Sequence, residues 1–148
     1  MKTFITFAVV LALVTGCSHD PKSGAGFTLP DGDPERGQQT FVELQCNACH
    51  KVVGLELEPH EAEVDTTVAL GGETTVVKTY GNLVTSIINP SHRFAVGYAD
   101  DDIKQDGESR MRKYNDEMTV TQLTDLVAFL QAHYHLREYH PTPYMPYP

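Results

Sequence analysis

Two cysteines and a histidine stand close together in CNACH, residues 46–50. This spacing is compatible with a redox dithiol, part of a zinc site, or the covalent attachment of a haem. A redox dithiol is usually found at a helix N-terminus within a βαβ unit, and no such pattern surrounds the segment. A structural zinc site needs four ligands, but the chain has three cysteines, and His60 and His92 lack a paired spacing. The segment therefore favours haem attachment.

Haem attachment explains both the spacing and the number of cysteines. Cys46 and Cys49 lie three positions apart on a helical turn, so their thiols face the same way and can reach the two vinyl groups on one porphyrin edge. His50 follows at once, where its imidazole can bind the iron. If Cys17 carries a lipid thioether, no free thiol is left in an exported protein. We therefore predict one covalently bound haem c.

The N-terminus has the pattern of an export signal. Lys2 supplies a positive charge, and an almost wholly apolar run follows over residues 4–14. This run is too short to span a bilayer but has the length of a signal-peptide core. We therefore predict that residues 1–16 form a signal peptide and that the protein works outside the cytoplasm, on the periplasmic side of a bacterial membrane.

The end of this signal resembles the lipobox of bacterial lipoproteins. Residues 13–17 read LVTGC, and in that motif the cysteine receives a lipid and becomes the first mature residue. The resemblance implies a membrane anchor on Cys17, and Ser18 favours the outer over the inner membrane. An ordinary secretory signal, cut nearby, would leave Cys17 free. Residues 17–32 are rich in Ser, Gly, Pro and Asp, which predicts a flexible tether.

The chain after the tether begins and ends with helices. Asp33 before Pro34 is an N-cap signal, and the apolar spacing that follows predicts a helix running directly into CNACH. Thr119 and Gln122 form a capping box ahead of a last helix. This last helix has an apolar stripe made of four residues: Leu123, Leu126, Val127 and Leu130.

The middle of the chain is more varied. Alternating residues over 64–70, the pair Gly71-Gly72 and the β-branched run 74–77 predict a short β-hairpin. A second helix is predicted over 83–88, ending at Asn89-Pro90. Residues 91–118 are interpreted as an irregular acidic segment. The Pro/Tyr-rich tail 140–148 cannot be helical and is predicted to be extended.

Three separated stretches resemble the class I c-type cytochromes. Gly37-x-x-x-Phe41 followed by CNACH is similar to the family's first helix, and LTDLVAFLQ at 123–131 to its last. SIINPSHRFAVGY between them is similar to its central helix, proline break and loop. The resemblance covers residues 33 to about 134 and implies a monohaem protein. It implies a mainly α fold over 33–139, with three to four helices around the haem and Phe129 as the aromatic partner of the first helix.

The same resemblance implies the iron ligands. His50 would be the proximal ligand, with Pro59 a candidate for the carbonyl that receives its other ring N–H. Met111 lies where the family's axial methionine usually lies, although Arg112 follows where the family often has proline. Met118, His92 and an empty sixth position are the alternatives. Three further side chains are candidates for contacts with the haem or its propionates: Tyr80, Arg93 and Tyr114.

Composition limits the choice of partners. Acidic residues outnumber basic ones, 20 to 11, for a net charge of −9, which argues against nucleic acid and suits redox partners with basic docking surfaces. We expect an electron carrier between a donor and an acceptor rather than an enzyme. The alternatives are a haem c subunit of a periplasmic oxidoreductase complex and a ligand-binding or sensing haem protein with an open sixth site.

Overall fold

The computed structural model describes residues 26–58, 60 and 66–138. The predicted signal peptide, Cys17 and the tail 140–148 lie outside these residues, as does Pro59. Four α-helices occur in the described chain: α1 (Pro34–Glu43), α2 (Tyr80–Ile88), α3 (Asp100–Ile103) and α4 (Val120–Ala132). Single turns of 3-10 helix cover Cys46–Ala48 and Pro90–His92.

Six strands of two or three residues pair as three separate ribbons within the described chain. They are β1 (His50–Val52), β2 (Val68–Leu70), β3 (Gly72–Thr74), β4 (Lys104–Gln105), β5 (Glu108–Ser109) and β6 (Tyr134–Leu136). Strands β1 and β2 pair in parallel, as do β3 and β6, whereas β4 and β5 are antiparallel. The mainly α architecture predicted from the sequence is therefore confirmed.

The predicted caps form at both terminal helices. Asp33 accepts hydrogen bonds at its Oδ1 from the backbone N–H groups of Glu35 (2.9 Å) and Arg36 (3.1 Å), and so begins α1. Thr119 and Gln122 exchange the two bonds of a capping box at the start of α4. These bonds satisfy N–H groups that have no partner inside a helix, which fixes where each helix begins.

Helices α1 and α4 cross in close contact. A Cβ atom on Gly37 would lie 2.0 Å from the carbonyl oxygen of Asp125 and 2.6 Å from Cβ of Phe129, so this crossing needs glycine. Beside it, the rings of Phe41 and Phe129 are 5.6 Å apart at a tilt of 56°. Both side chains are only 1% exposed. The predicted pairing of these two aromatics is confirmed.

The core continues from this crossing to α2 and β1. It has nine buried side chains: Phe41, Val52, Leu83, Val84, Ile87, Leu126, Val127, Phe129 and Leu130. Leu29 packs against this core and Tyr80 donates a hydrogen bond to the carbonyl of Phe27 at 2.7 Å, so the described end of the predicted tether lies against the domain. No helix within the described residues has the length and apolar content needed to cross a bilayer.

The predicted hairpin around Gly71-Gly72 is wrong. Residues on the two sides of this pair do form strands, β2 and β3, but they do not pair with each other. Both glycines have a positive φ, near +80°, and the chain passes there from one parallel ribbon to another. Strand β2 pairs with the segment after CNACH, and β3 pairs with the end of the chain after α4. The local pattern identified strands but not their partners.

Candidate functional site

The CNACH segment forms a tight turn between α1 and β1. The prediction that the first helix runs directly into it is wrong, because α1 ends at Glu43 and Gln45 adopts a left-handed conformation with φ of 59°. Cys46 then opens a 3-10 turn that is closed by a hydrogen bond from the N–H of Cys49 to the Cys46 carbonyl at 3.2 Å. Such a turn has three residues per revolution, so it aligns positions three apart better than an α-helix does.

The two thiols have different surroundings. Cys46 is partly buried and packs against the core, whereas Cys49 is exposed. Burial raises the pKa of the Cys46 thiol to about 11, because the charged thiolate is disfavoured away from water. A dithiol oxidoreductase needs the opposite, a cysteine with a lowered pKa. The surroundings of Cys46 therefore argue against a dithiol redox site.

His50 is held by the strand that it begins. The parallel pairing of β1 with β2 sets His50 opposite Val68, and its Nδ1 lies 3.3 Å from the Val68 carbonyl oxygen. The nearby carbonyl that the sequence assigned to Pro59, a residue outside the described chain, is thus supplied by Val68 in this structure. Burial lowers the pKa of His50, which favours the neutral imidazole that binds a metal. A bond at Nδ1 would leave Nε2 as the nitrogen able to bind a metal.

An open cleft begins beside these groups. It encloses about 1150 Å³, including its open mouth, and both Cys46 and His50 line it. Apolar side chains from α1, β2, α2 and α4 form its walls: Phe41, Leu70, Leu83, Ile87, Leu126 and Leu130. Apolar walls with a few polar groups are typical of a site for a large organic cofactor.

All three side chains considered for the sixth iron position, Met111, Met118 and His92, line this same cleft. Met111 is half-buried, and its backbone N–H bonds to Ser109 Oγ at 3.2 Å. Met118 also lines the cleft and packs against the hydrophobic core. His92 ends the second 3-10 turn at the cleft and is exposed. The structure therefore brings His50 to one cleft with two thioethers and a second imidazole.

Polar groups at the cleft correct one sequence prediction and add a residue. Arg93 and Tyr114 line the cleft as expected, but Tyr80 lines a separate surface pocket with Phe27. Lys78, which sequence reasoning missed, lines the cleft as well. Nothing in the local sequence marks Lys78, because only the packing of the chain before α2 brings it there.

These features define a mainly helical haem-binding protein with its attachment turn after the first helix. A family model described as Cytochrome c matches residues 34–133, which is 100 of the 148 residues. The chain belongs to the cytochrome c family. Its cofactor is covalently bound haem c, and its function is haem-based electron transfer with redox partners. No curated protein and no solved structure matches the chain.

The described residues fit this cofactor. The apolar walls suit the porphyrin ring, and Cys46 and His50 line the same cleft, whereas Cys49 is exposed outside its lining. Lys78 and Arg93 are the charged side chains there, so the cleft is cationic although the chain is acidic overall. Such cations suit the carboxylates that a haem carries. When bound, haem c supplies an iron atom that takes up and releases one electron.

Proposed function

We propose that this chain is a lipid-anchored monohaem cytochrome c that carries single electrons between redox partners in the periplasm. The observation that carries the proposal is the cleft that His50, Met111 and Cys46 share, where Cys46 begins the 3-10 turn that ends at Cys49. An imidazole and a thioether that close both axial positions leave the iron no place for a substrate. Such a site exchanges electrons and makes or breaks no substrate bond.

We assign a role to each residue of the site. Cys46 and Cys49 hold the haem through thioethers, His50 is the proximal ligand, and Met111 is the distal ligand, with Met118 as the alternative. A thioether is a soft ligand that favours ferrous iron, so His/Met ligation raises the reduction potential. The bond near Val68 orients the His50 ring and adjusts its basicity.

The spectrum of the holoprotein tests this ligand set. Ferric and ferrous spectra are recorded with and without carbon monoxide for the wild type, Met111→Ala and Met118→Ala. We expect a weak far-red ferric band and no carbon monoxide binding in the wild type. The band should vanish in Met111→Ala and survive in Met118→Ala. Ready carbon monoxide binding by the wild type would contradict a closed site and favour ligand binding, sensing or catalysis. The reverse pattern in the variants would make Met118 the ligand.

The covalent attachment has its own test. The intact mass of denatured wild-type protein should exceed that of the lipidated mature chain by one haem. In a Cys46→Ser/Cys49→Ser double variant this added mass should be lost, because no thiol remains to form a thioether. A Cys17→Ser variant serves as the control and should keep its haem. An added mass that depended on Cys17 instead would contradict the assignment.

The N-terminal sequence and the net charge support the proposed location and partners. The export signal over 1–16 and the lipobox-like residues before Cys17 support a lipid anchor, and Ser18 favours the outer membrane. The net charge of −9 supports partners with basic docking surfaces. An anchored domain could move along the periplasmic face between its donor and its acceptor.

A further inference from the structure

Tyr114 joins the part of the chain that carries the methionines to the part that precedes the attachment turn. Its side chain lines the haem cleft and is 8% exposed. Its hydroxyl donates a hydrogen bond to the backbone carbonyl of Leu44 at 2.9 Å, across 70 positions of sequence. Leu44 is the C-cap of α1 and stands two residues before Cys46. The bond therefore links the segment that carries both methionines to the residues just before the attachment turn.

The backbone around Tyr114 is tied to one of the methionines. Its carbonyl oxygen accepts hydrogen bonds from the N–H groups of Glu117, at 3.0 Å, and Met118, at 2.9 Å. The guanidinium of Arg112 lies over its ring, 5.1 Å from the centroid. Met111 and Met118 thus lie three and four positions from Tyr114. The ring of Tyr114 is held by the hydrogen bond of its hydroxyl and by the contact of Arg112 with its face.

Other side-chain hydrogen bonds join segment 104–118 to the end of α2 and to the 3-10 turn that follows it. Asn115 Nδ2 donates to the carbonyl of Ile88 at 2.9 Å, at the end of α2. Ser91, in the following 3-10 turn, bonds to the carboxylate of Glu108 at 2.6 Å and to the N–H of Ser109 at 3.0 Å. These bonds fix the segment against α2. The Tyr114–Leu44 bond links it to α1 and the attachment turn.

We propose that Tyr114 is a positioning residue that holds the distal methionine within reach of the iron. This inference rests on the proposed function, in which a methionine fills the sixth position. A thioether binds ferric iron less well than ferrous iron, so in the ferric state the ligand depends more on where its segment is held. Movement of segment 104–118 away from the cleft would break the Tyr114–Leu44 bond. The bond therefore shifts the balance from an open to a closed sixth site.

Imidazole binding to the ferric holoprotein measures this balance. Imidazole reaches the iron only after the methionine leaves, so its apparent affinity is set by the fraction of open protein. Tyr114→Phe keeps the ring in the core and removes the hydroxyl alone. We expect the variant to bind imidazole about five-fold more tightly, which corresponds to about 1 kcal/mol, the net value of one hydrogen bond. The far-red ferric band should also disappear at a lower temperature.

Tyr80→Phe is the matched control. Its hydroxyl also donates to a backbone carbonyl, that of Phe27 at 2.7 Å, but it faces a separate pocket. This variant should bind imidazole as the wild type does. Unfolding of both variants in denaturant measures how much each substitution lowers the free energy of unfolding of the whole protein.

Two results would overturn the inference, and they differ from a failure of the proposed function. If Tyr114→Phe binds imidazole as the wild type does, or if both variants bind it equally more tightly, Tyr114 does not position the ligand. If the wild type lacks the far-red band and binds carbon monoxide readily, the methionine-ligated electron carrier itself is wrong. The wild-type spectrum therefore separates the two failures before either variant is studied.

Discussion

Arg36 and Asp125, 89 positions apart, form a two-pronged ion pair that joins α1 to α4. The guanidinium Nε donates to Oδ2 at 2.9 Å, and Nη2 donates to Oδ1 at 3.2 Å. The same carboxylate accepts a bond from the backbone N–H of Asp33 at 2.7 Å. The side chain of Asp125 is 4% exposed, whereas that of Arg36 is 57% exposed. The Asp125 carboxylate is therefore the buried partner in an ion pair that links α1 to α4.

This contact predicts a pH-dependent stability. The bonds from Arg36 and then from Asp33 hold the pKa of the Asp125 carboxyl below its ordinary value. A carboxyl with a lowered folded-state pKa stabilises the fold above its unfolded-state pKa, which is about 3.9. This stabilisation is lost as the pH falls through the folded-state pKa.

Asp125→Asn should therefore lower the free energy of unfolding at pH 7, by about 1–2 kcal/mol, since solvent screens the exposed Arg36. The difference from the wild type should begin to shrink below about pH 4, where the carboxyl of the unfolded chain takes up its proton, and should be lost below the folded-state pKa, which is lower. Denaturant unfolding at both pH values measures this. The exposed residue Asp116 gives the control, Asp116→Asn, which should change little at either pH. A pH-independent loss in Asp125→Asn would contradict the electrostatic origin.

The helix crossing predicts opposite effects for two glycine substitutions. In Gly37→Ala the new methyl group would meet the backbone of Asp125 at 2.0 Å, so the helices must separate, at a cost of about 1–3 kcal/mol. In Gly81→Ala, within α2, the nearest atom is Thr79 Oγ1 at 3.9 Å, and we expect a gain of about 0.5 kcal/mol. Thermal unfolding of the two holoproteins measures both. Equal behaviour of the two variants would show that the close crossing is not maintained in solution.

The lipid anchor predicts a labelling pattern. Cells grown with a radioactive fatty acid should incorporate label into the wild-type protein and none into Cys17→Ser, because the sulfur is the acceptor. Ser18→Asp should keep the label and shift the protein towards the inner membrane. Labelling that persists in Cys17→Ser would contradict the anchor, whereas unlabelled wild type would favour an ordinary secretory signal.

The acidic surface predicts a charge-selective reaction. Asp101 and Asp102 in α3 are exposed, and the neighbouring β5 is bonded to Ser91 beside the cleft. Neutralising both, by Asp101→Asn and Asp102→Asn, should slow reduction of the ferric protein by hexaammineruthenium(II) about two-fold at low salt, because the reagent is a cation. High salt should remove the difference.

The control for this experiment is Glu35→Gln with Glu43→Gln, which removes two exposed acids from α1. It should slow the cationic reagent less than the α3 variant does. Dithionite, an anionic reductant, should respond in the opposite direction to neutralisation of α3. Equal rates for all three proteins with the cationic reagent would contradict an α3 docking surface for basic partners.

Signals carried by neighbouring residues were sufficient to predict much of this protein. The caps at Asp33 and Thr119 and the stop at Asn89-Pro90 need only residues within one turn, and α1, α2 and α4 form where they indicate. The spacing of CNACH identified the cofactor for the same reason, because its geometry lies within five residues. The contact of the terminal helices through Phe41 and Phe129 was implied by the resemblance to the class I c-type cytochromes, and the structure shows it.

Strand pairing could not be predicted in this way. Gly71-Gly72 suggested a hairpin, yet the antiparallel hairpin of the described chain turns at Asp106-Gly107, between β4 and β5. Both residues there have positive φ, 53° and 81°, as a two-residue hairpin turn requires, and Asp-Gly is a signal that sequence reasoning missed. The parallel ribbons have no such local signal, since their strands lie far apart in sequence.

By itself, the sequence determined helices α1, α2 and α4, the attachment motif and thus the cofactor, because each depends on side chains a few positions apart. The irregular structure predicted for 91–118 is wrong in part, because α3, β4 and β5 form there. Only the tertiary structure decided that the Val68 carbonyl meets His50, since that contact arises from the parallel pairing of β1 and β2. It also brought Lys78, Met111 and Met118 to one cleft and joined Tyr114 to Leu44. These contacts link residues far apart in sequence, and chain packing fixes them where local preference cannot.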